Sequence, residues 1–353
     1  MAERKATEPI MRITWIVATA VTERDGAWYS PLASMRYRVL SPARYLQDAG
    51  HSVQFLHVDA TTDPAAFDSF LSADITVISK VFAGSSVGLA QRAIQLGSQI
   101  VLDICDDHFD TPQLAETYFS LCKIAHRITA STRAMAETIS RRTGRQAVII
   151  DDPFEAPAGV ATFNPAEPLK LLWFGHASNF DTVVSMLPEL AMLSESVPLQ
   201  LALVTTDQNA SIAQYLKQFA ASIAPQLTRL STALTPWSEA ATWQAMQRSD
   251  MIVIPSLPAA KKQVKSPNRA VESIRSGRLV IAYPLPSYAE LADYLCLGES
   301  MADGIRHAMK HPDDSLQRIT AGQAYIAERF SMRTIGRAWD AVLSQTVDCA
   351  AVA

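Results

Sequence analysis

Short apolar runs recur along this chain, and stretches of helical periodicity separate nearly all of them. In the first half the runs fall at residues 12–21, 52–58, 75–80, 99–105, 127–130 and 147–151, with helical patterns at 34–49, 84–97, 113–124 and 132–142. In the second half they fall at 169–174, 199–204, 227–230, 251–254 and 279–282, with helical patterns at 208–223, 238–248, 267–276 and 287–295. Three further helical stretches, 299–310, 313–329 and 332–346, close the chain. Runs this apolar suit strands buried on both faces. Their alternation with helices predicts an α/β protein with parallel sheets covered on both sides.

The rhythm breaks once. Pro153, Pro157, Pro165 and Pro168 lie in a stretch with little periodicity, the best candidate for a linker. A chain of 353 residues accommodates two domains. The expected boundaries are 1–155 for an N-terminal Rossmann-like domain, 156–168 for the linker, and 169–353 for a second such domain with its terminal helices. Sheets of this kind bind ligands at the carboxyl ends of their strands, so two facing halves would share one cleft.

Composition narrows the partners. The chain is 48% apolar and 19% charged, which is globular, and 31 basic against 35 acidic residues leave −4. No nucleic-acid field follows, so any phosphate binding is local. Cys105, Cys122, Cys296 and Cys349 are widely spaced and read as reduced thiols in a cytoplasmic protein. No apolar run is long enough to span a membrane. Arg4, Lys5 and Arg12 precede an apolar run ending near Ala18 and Ala20, as in a secretory leader. That run is short and β-branched, which favours a first strand.

The stretch 265–284 (KSPNRAVESIRSGRLVIAYP) carries the most chemistry. Ser266 and Pro267 suit a helix start, Gly277 suits a stop needing positive φ, and 279–282 suits an inner strand. Such a unit gathers free N–H groups, Lys265, Asn268 and Arg269 at one helix N-terminus, where phosphate binds well. Glu272 lies about two turns beyond Lys265, roughly 10 Å along the axis, a span that fits diphosphate to ribose. Lys261 and Lys262 either add to the phosphate charge or form a solvated turn. Upstream, residues 169–174 run into Gly175 and His176, a strand and turn that lets backbone approach a phosphate closely. Trp237, after Pro236, offers either a stacking face for a base or sugar, or a core side chain.

In the first half, strand 99–105 ends in Asp106, Asp107 and His108, with Asp110 beyond. His108 has the intrinsic pKa for proton transfer. Asp110, before Thr111 and Pro112, suits a helix cap, and Asp103 suits the packing of the sheet. Arg36 and Arg38 open the first helix but stand two residues apart, which puts them on different faces. Lys80 ends a strand. Either of these arginines or Lys80 could meet an anionic acceptor, or simply solvate the surface. Arg133, Arg141, Arg142 and Arg145 form a basic helix end that is solvated or faces a membrane surface.

Stretch 265–284, strand 169–174 with Gly175, and Trp237 resemble the donor half of GT-B glycosyltransferases, particularly the family-4-like enzymes, over roughly residues 12–345. The resemblance implies a nucleotide-sugar donor bound by Gly175, His176, Trp237, Lys265, Asn268, Arg269 and Glu272, with Glu272 on the ribose and Lys265 as the main diphosphate cation. It implies a glycan or lipid-linked acceptor met by Arg36, Arg38 and Lys80, with Asp106, Asp107 and His108 as catalytic candidates. Transfer would be retaining, with the donor as co-substrate, no further cofactor and no metal, although Asp103, Asp106 and Asp107 form a carboxylate set of the kind that holds Mg²⁺ elsewhere. The protein would be cytoplasmic, at the inner membrane face where the acceptor is lipid-linked. Two departures stand out. Residues 176–184 lack the basic pair usual after this turn, and Val264 occupies the place of the family's first Glu. These departures keep a binding pseudoenzyme open beside a nucleotide-sugar epimerase. A two-lobed periplasmic binding protein fits less well with so weak an export signal.

Overall fold

The computed structural model describes residues 10–59, 61–80, 84–223 and 229–351. Arg4, Lys5, Leu227 and the side chain of Cys349 lie outside the described residues. The chain forms two compact units: Met1–Pro153 with Gln263–Ser266 and Phe330–Ala353, and Phe154–Lys262 with Pro267–Arg329.

The first unit is built on a six-stranded parallel sheet. Its strands are β1 (Arg12–Val17), β4 (Ser52–His57), β5 (Ile75–Ser79), β6 (Gln99–Ile104), β7 (Arg127–Ala130) and β8 (Val148–Ile149), in the order β4-β1-β5-β6-β7-β8. The order reverses between β1 and β5, which makes that point the topological switch where ligands of such sheets bind. The polar loop after β1 folds into a hairpin of β2 (Thr22–Arg24) and β3 (Ala27–Tyr29). Helix Arg133–Thr143 is capped by Thr132, whose hydroxyl accepts from the Met135 amide at 3.0 Å and donates to the Val264 carbonyl at 3.0 Å. Thr132→Ala is expected to cost about 1–2 kcal/mol, with Thr132→Ser retaining most of it. Urea unfolding checks this, and an unmoved midpoint in the alanine variant would exclude it.

The second unit repeats the plan with β9 (Leu169–Phe174), β10 (Leu199–Thr205), β11 (Leu230–Pro236), β12 (Met251–Ile254), β13 (Leu279–Ala282) and β14 (Cys296–Leu297), in the order β11-β10-β9-β12-β13-β14. Its switch lies between β9 and β12. The third strand extends to Pro236, beyond the predicted 227–230, because its exposed edge position needs no continuous apolar run. Helix Phe180–Leu193 fills the gap between β9 and β10, where the sequence suggested no element. Pro188 inside it hides the helical signal. Gly277 takes φ +76°, as a helix stop requires.

Two boundaries differ from expectation. Helix Met332–Ala351 belongs to the first unit, not to the second. Ile335, Trp339, Val342 and Leu343 join a core with Ile13, Trp15 and Val17, and the Trp15 and Trp339 rings lie 5.3 Å apart. An apolar helix face read from sequence does not say which sheet it covers. Residues 156–168 are no loose linker either. Ala156 and Phe163 are buried, and the Gly159 amide donates to the Arg275 carbonyl at 3.1 Å.

Candidate functional site

In the second unit, the turn after β9 sits at the switch point. A Cβ added to Gly175 would lie 3.5 Å from the Trp173 ring and 3.6 Å from Arg269 Nη1. That guanidinium nitrogen is buried and has no hydrogen-bond partner among the described residues. A buried donor left unsatisfied is costly, and an accepting group or a water would relieve it. Arg269 belongs to helix Asn268–Arg275 and shares a hydrogen bond with the buried Tyr288 hydroxyl, whose pKa burial raises. Lys262 reaches the same turn, donating from Nζ to Asn179 Oδ1 at 2.7 Å. The turn that lacked basic residues in sequence therefore receives two from elsewhere in the chain. Lys262 was legible only as one arm of a basic loop, and Asn179 and Tyr288 carried no signal.

The other expected donor residues divide. His176 is exposed, and its Nδ1 pairs with the Ser178 hydroxyl at 2.8 Å. Asn268 opens the helix carrying Arg269, with Pro267 at the cap position rather than Ser266. Trp237 is half-buried at the end of β11, its amide donating to the Thr205 carbonyl at 3.0 Å. Glu272 is only 2% exposed, and its two oxygens accept from the Glu155 and Ala156 amides at 2.9 and 2.7 Å. It fastens the start of the second unit, and ribose hydroxyls would reach it only by uncovering it. Lys265 lies in the first unit, its ammonium paired with Asp106. That pairing engages the charge expected to serve as the main diphosphate cation.

In the first unit, five residues with π-helical hydrogen bonding, Arg36–Leu40, turn both arginines inward. Arg38 is 1% exposed and spends its guanidinium on Asp103, Asp152 and the Ile150 carbonyl. Its Nε and Nη2 donate to Asp103 at 3.2 and 2.5 Å, and Nη1 donates to Asp152 at 2.9 Å. Asp103 also accepts from Ser79 and Thr129, each at 2.8 Å. Arg36 is buried too, and its Nη1 donates to the Ser30 and Pro31 carbonyls. Neither arginine is placed to meet an acceptor. The two still reach different partners, as residues two apart must, but both are buried.

Lys80 follows β5 at the switch point and adopts φ +56°. Its Nζ lies 2.7 Å from Asp106 Oδ2, while Lys265 takes Asp106 Oδ1. Burial would raise the Asp106 carboxyl, but Lys80 and then Lys265 outweigh it and hold it well below the usual carboxylate range. Asp106 is thus a poor base. Burial pushes the adjacent Cys105 thiol up to about 12. Asp107 Oδ1 accepts from the Phe109 amide at 3.1 Å, and His108 Nδ1 pairs with the Thr111 hydroxyl at 3.2 Å. Asp110 forms an ion pair with Arg142 rather than a cap, and Arg145 donates to the Cys122 and Ala125 carbonyls. Much of the basic helix end is therefore engaged within the unit. Among the described residues no group of three His, Cys, Asp or Glu side chains could hold a metal ion, and no helix is long and apolar enough to cross a membrane.

Because the folded-state pKa of Asp106 is depressed, its ion pairs stabilise the fold above the unfolded value of about 3.9 and are lost as pH falls through the folded value. Asp106→Asn is expected to cost about 1–2 kcal/mol at pH 7. The gap to wild type should narrow as acid protonates the native carboxylate. Urea unfolding across the acid range checks the sign, and a gap that widens would contradict it.

No protein-family model matches the chain, and no curated protein matches it by sequence. Solved structures do. HepE from Anabaena, crystallised with UDP and glucose, aligns at TM-score 0.70 and 14% identity over 95% of this chain and 99% of its own. A glycosyltransferase from Rickettsia africae aligns at 0.70 and 12% over 96% and 99%. A UDP-forming α,α-trehalose-phosphate synthase from Burkholderia xenovorans aligns at 0.59 and 12% over 95% and 99%. With two six-stranded parallel sheets flanked by helices, this chain has the fold of the GT-B glycosyltransferases.

Proposed function

We propose that this protein transfers a sugar from a nucleotide-sugar donor to a glycan or lipid-linked acceptor, with retention at the anomeric carbon. The observation that carries the reading is the buried Arg269 Nη1, without a hydrogen-bond partner among the described residues, beside Gly175, which has no side chain to fill the space. An oxyanion fits there, and the amides at the start of helix Asn268–Arg275 add donors of the same sign. Transfer builds charge on the leaving diphosphate, and Arg269, with Lys262 at the same turn, would stabilise it. The UDP found with HepE, and the UDP-forming activity named for the Burkholderia synthase, are consistent with that ligand class. Asp107 and His108 stay the candidates on the acceptor side, since Asp106 is held ionised between two ammonium groups.

Incubation with a panel of nucleotide sugars, with and without glycan acceptors, tests the reading. Acceptor-dependent release of nucleoside diphosphate is the expected result. Release of a free sugar product without acceptor would indicate an epimerase. Binding with no turnover of any donor would leave a binding protein.

A further inference from the structure

We infer that Lys80 and Lys265 form a binding site for an anionic oxygen group, a phosphate or a carboxylate, carried by the acceptor. The inference rests on the transferase reading for the word acceptor, but the site itself stands on the first unit alone. Lys80 is the first residue after β5, at the carboxyl end of the sheet's switch point, where the topology opens a crevice. Its backbone takes φ +56°, a left-handed conformation that costs a non-glycine residue free energy. Strain of this kind persists where the surrounding structure fixes it, and it clusters at ligand sites. Here it delivers an ammonium group to Asp106, where the ammonium of Lys265 also arrives.

The stoichiometry is what points to a ligand. Two ammonium groups carry six N–H donors between them, and Asp106 supplies only two carboxylate oxygens. The Lys80 side chain is 28% exposed and that of Lys265 53%, so both remain accessible to solvent. The three groups together carry one excess positive charge. The neighbouring Arg38, Asp103 and Asp152 cluster is internally hydrogen-bonded and carries one net negative charge, and Asp152 acts on Lys80 through space. Asp106 acts as a fixed internal anion that holds the two lysines about one spot, and an incoming oxyanion would share them.

The test is an NMR titration of the full chain carrying ¹³C at the lysine ε-carbons, with glucose 6-phosphate, glucuronate and glucose as probes. Saturable shifts of the Lys80 and Lys265 signals are expected with an anionic probe and not with glucose. Whichever anion binds identifies the group. Lys265→Gln should weaken binding by about tenfold or more, the scale of one charge-assisted hydrogen bond. Asp106→Asn should strengthen it, because the competing carboxylate is removed, whereas a purely structural role for Asp106 predicts a loss. Equal responses to glucuronate, glucose 6-phosphate and glucose, or unchanged affinity in Lys265→Gln, overturn the inference. Neither result touches nucleoside diphosphate binding at Arg269, so the fate of the proposed function is read separately.

Discussion

Replacing Arg38 with alanine is expected to lower the unfolding free energy by about 3–5 kcal/mol, the range seen when one partner is removed from a buried ion pair. The guanidinium is ion-paired with both Asp103 and Asp152, which are 0% and 5% exposed. Its removal leaves two buried carboxylates without that charge, and the serine and threonine hydroxyls on Asp103 cannot replace it. Arg38 also lies over the Trp339 ring, 5.4 Å from its centre, so the closing helix loses a contact at the same time. Urea unfolding followed by tryptophan fluorescence measures the change. A loss below about 1 kcal/mol would mean that the carboxylates find protons or water at little cost. Because the cluster is internal, nucleoside diphosphate affinity should fall only as far as folding does.

The contrast between Arg36 and Arg38 in sequence and in structure shows where sequence reading stops. Inner strands such as β5, β6, β12 and β13 were legible because burial on both faces leaves a continuous apolar run. Asp103 was legible as an internal group for the same reason. A π-helical turn leaves no comparable trace, and it converts two expected surface arginines into buried ones. The donor turn was half legible. Gly175 and Arg269 follow from local pattern, but their meeting depends on β9 and β12 being neighbours in the sheet, which spacing along the chain does not reveal. Lys265 illustrates a different limit. It stands in the expected motif, yet Gln263–Ser266 packs with the first unit, where Val264 is 3% exposed in the core and Asp106 takes the charge. The valine that replaces the family's glutamate is a packing residue.

The second large effect expected is at the donor turn. Arg269→Ala should weaken nucleoside diphosphate binding about ten- to over a hundredfold, the equivalent of a charge-assisted contact of about 1.5–3 kcal/mol. Stability should fall only modestly, because losing the hydrogen bond to the buried Tyr288 hydroxyl is partly offset by removing an Nη1 donor without a partner among the described residues. Gly175→Ala separates the site from the residue. Its new methyl would sit at ordinary contact distance from Trp173 and Arg269, 3.5 and 3.6 Å, so the fold has no reason to object. It would nevertheless occupy the space between the turn and Nη1, and affinity should fall with Arg269 still present. Lys265→Ala should leave that affinity within about twofold, since its ammonium is engaged with Asp106 in the first unit. Calorimetry with UDP and GDP on the three variants distinguishes the assignments. Loss in Lys265→Ala with none in Arg269→Ala would return the diphosphate to the residue that sequence alone suggested, and leave the buried guanidinium without an explanation.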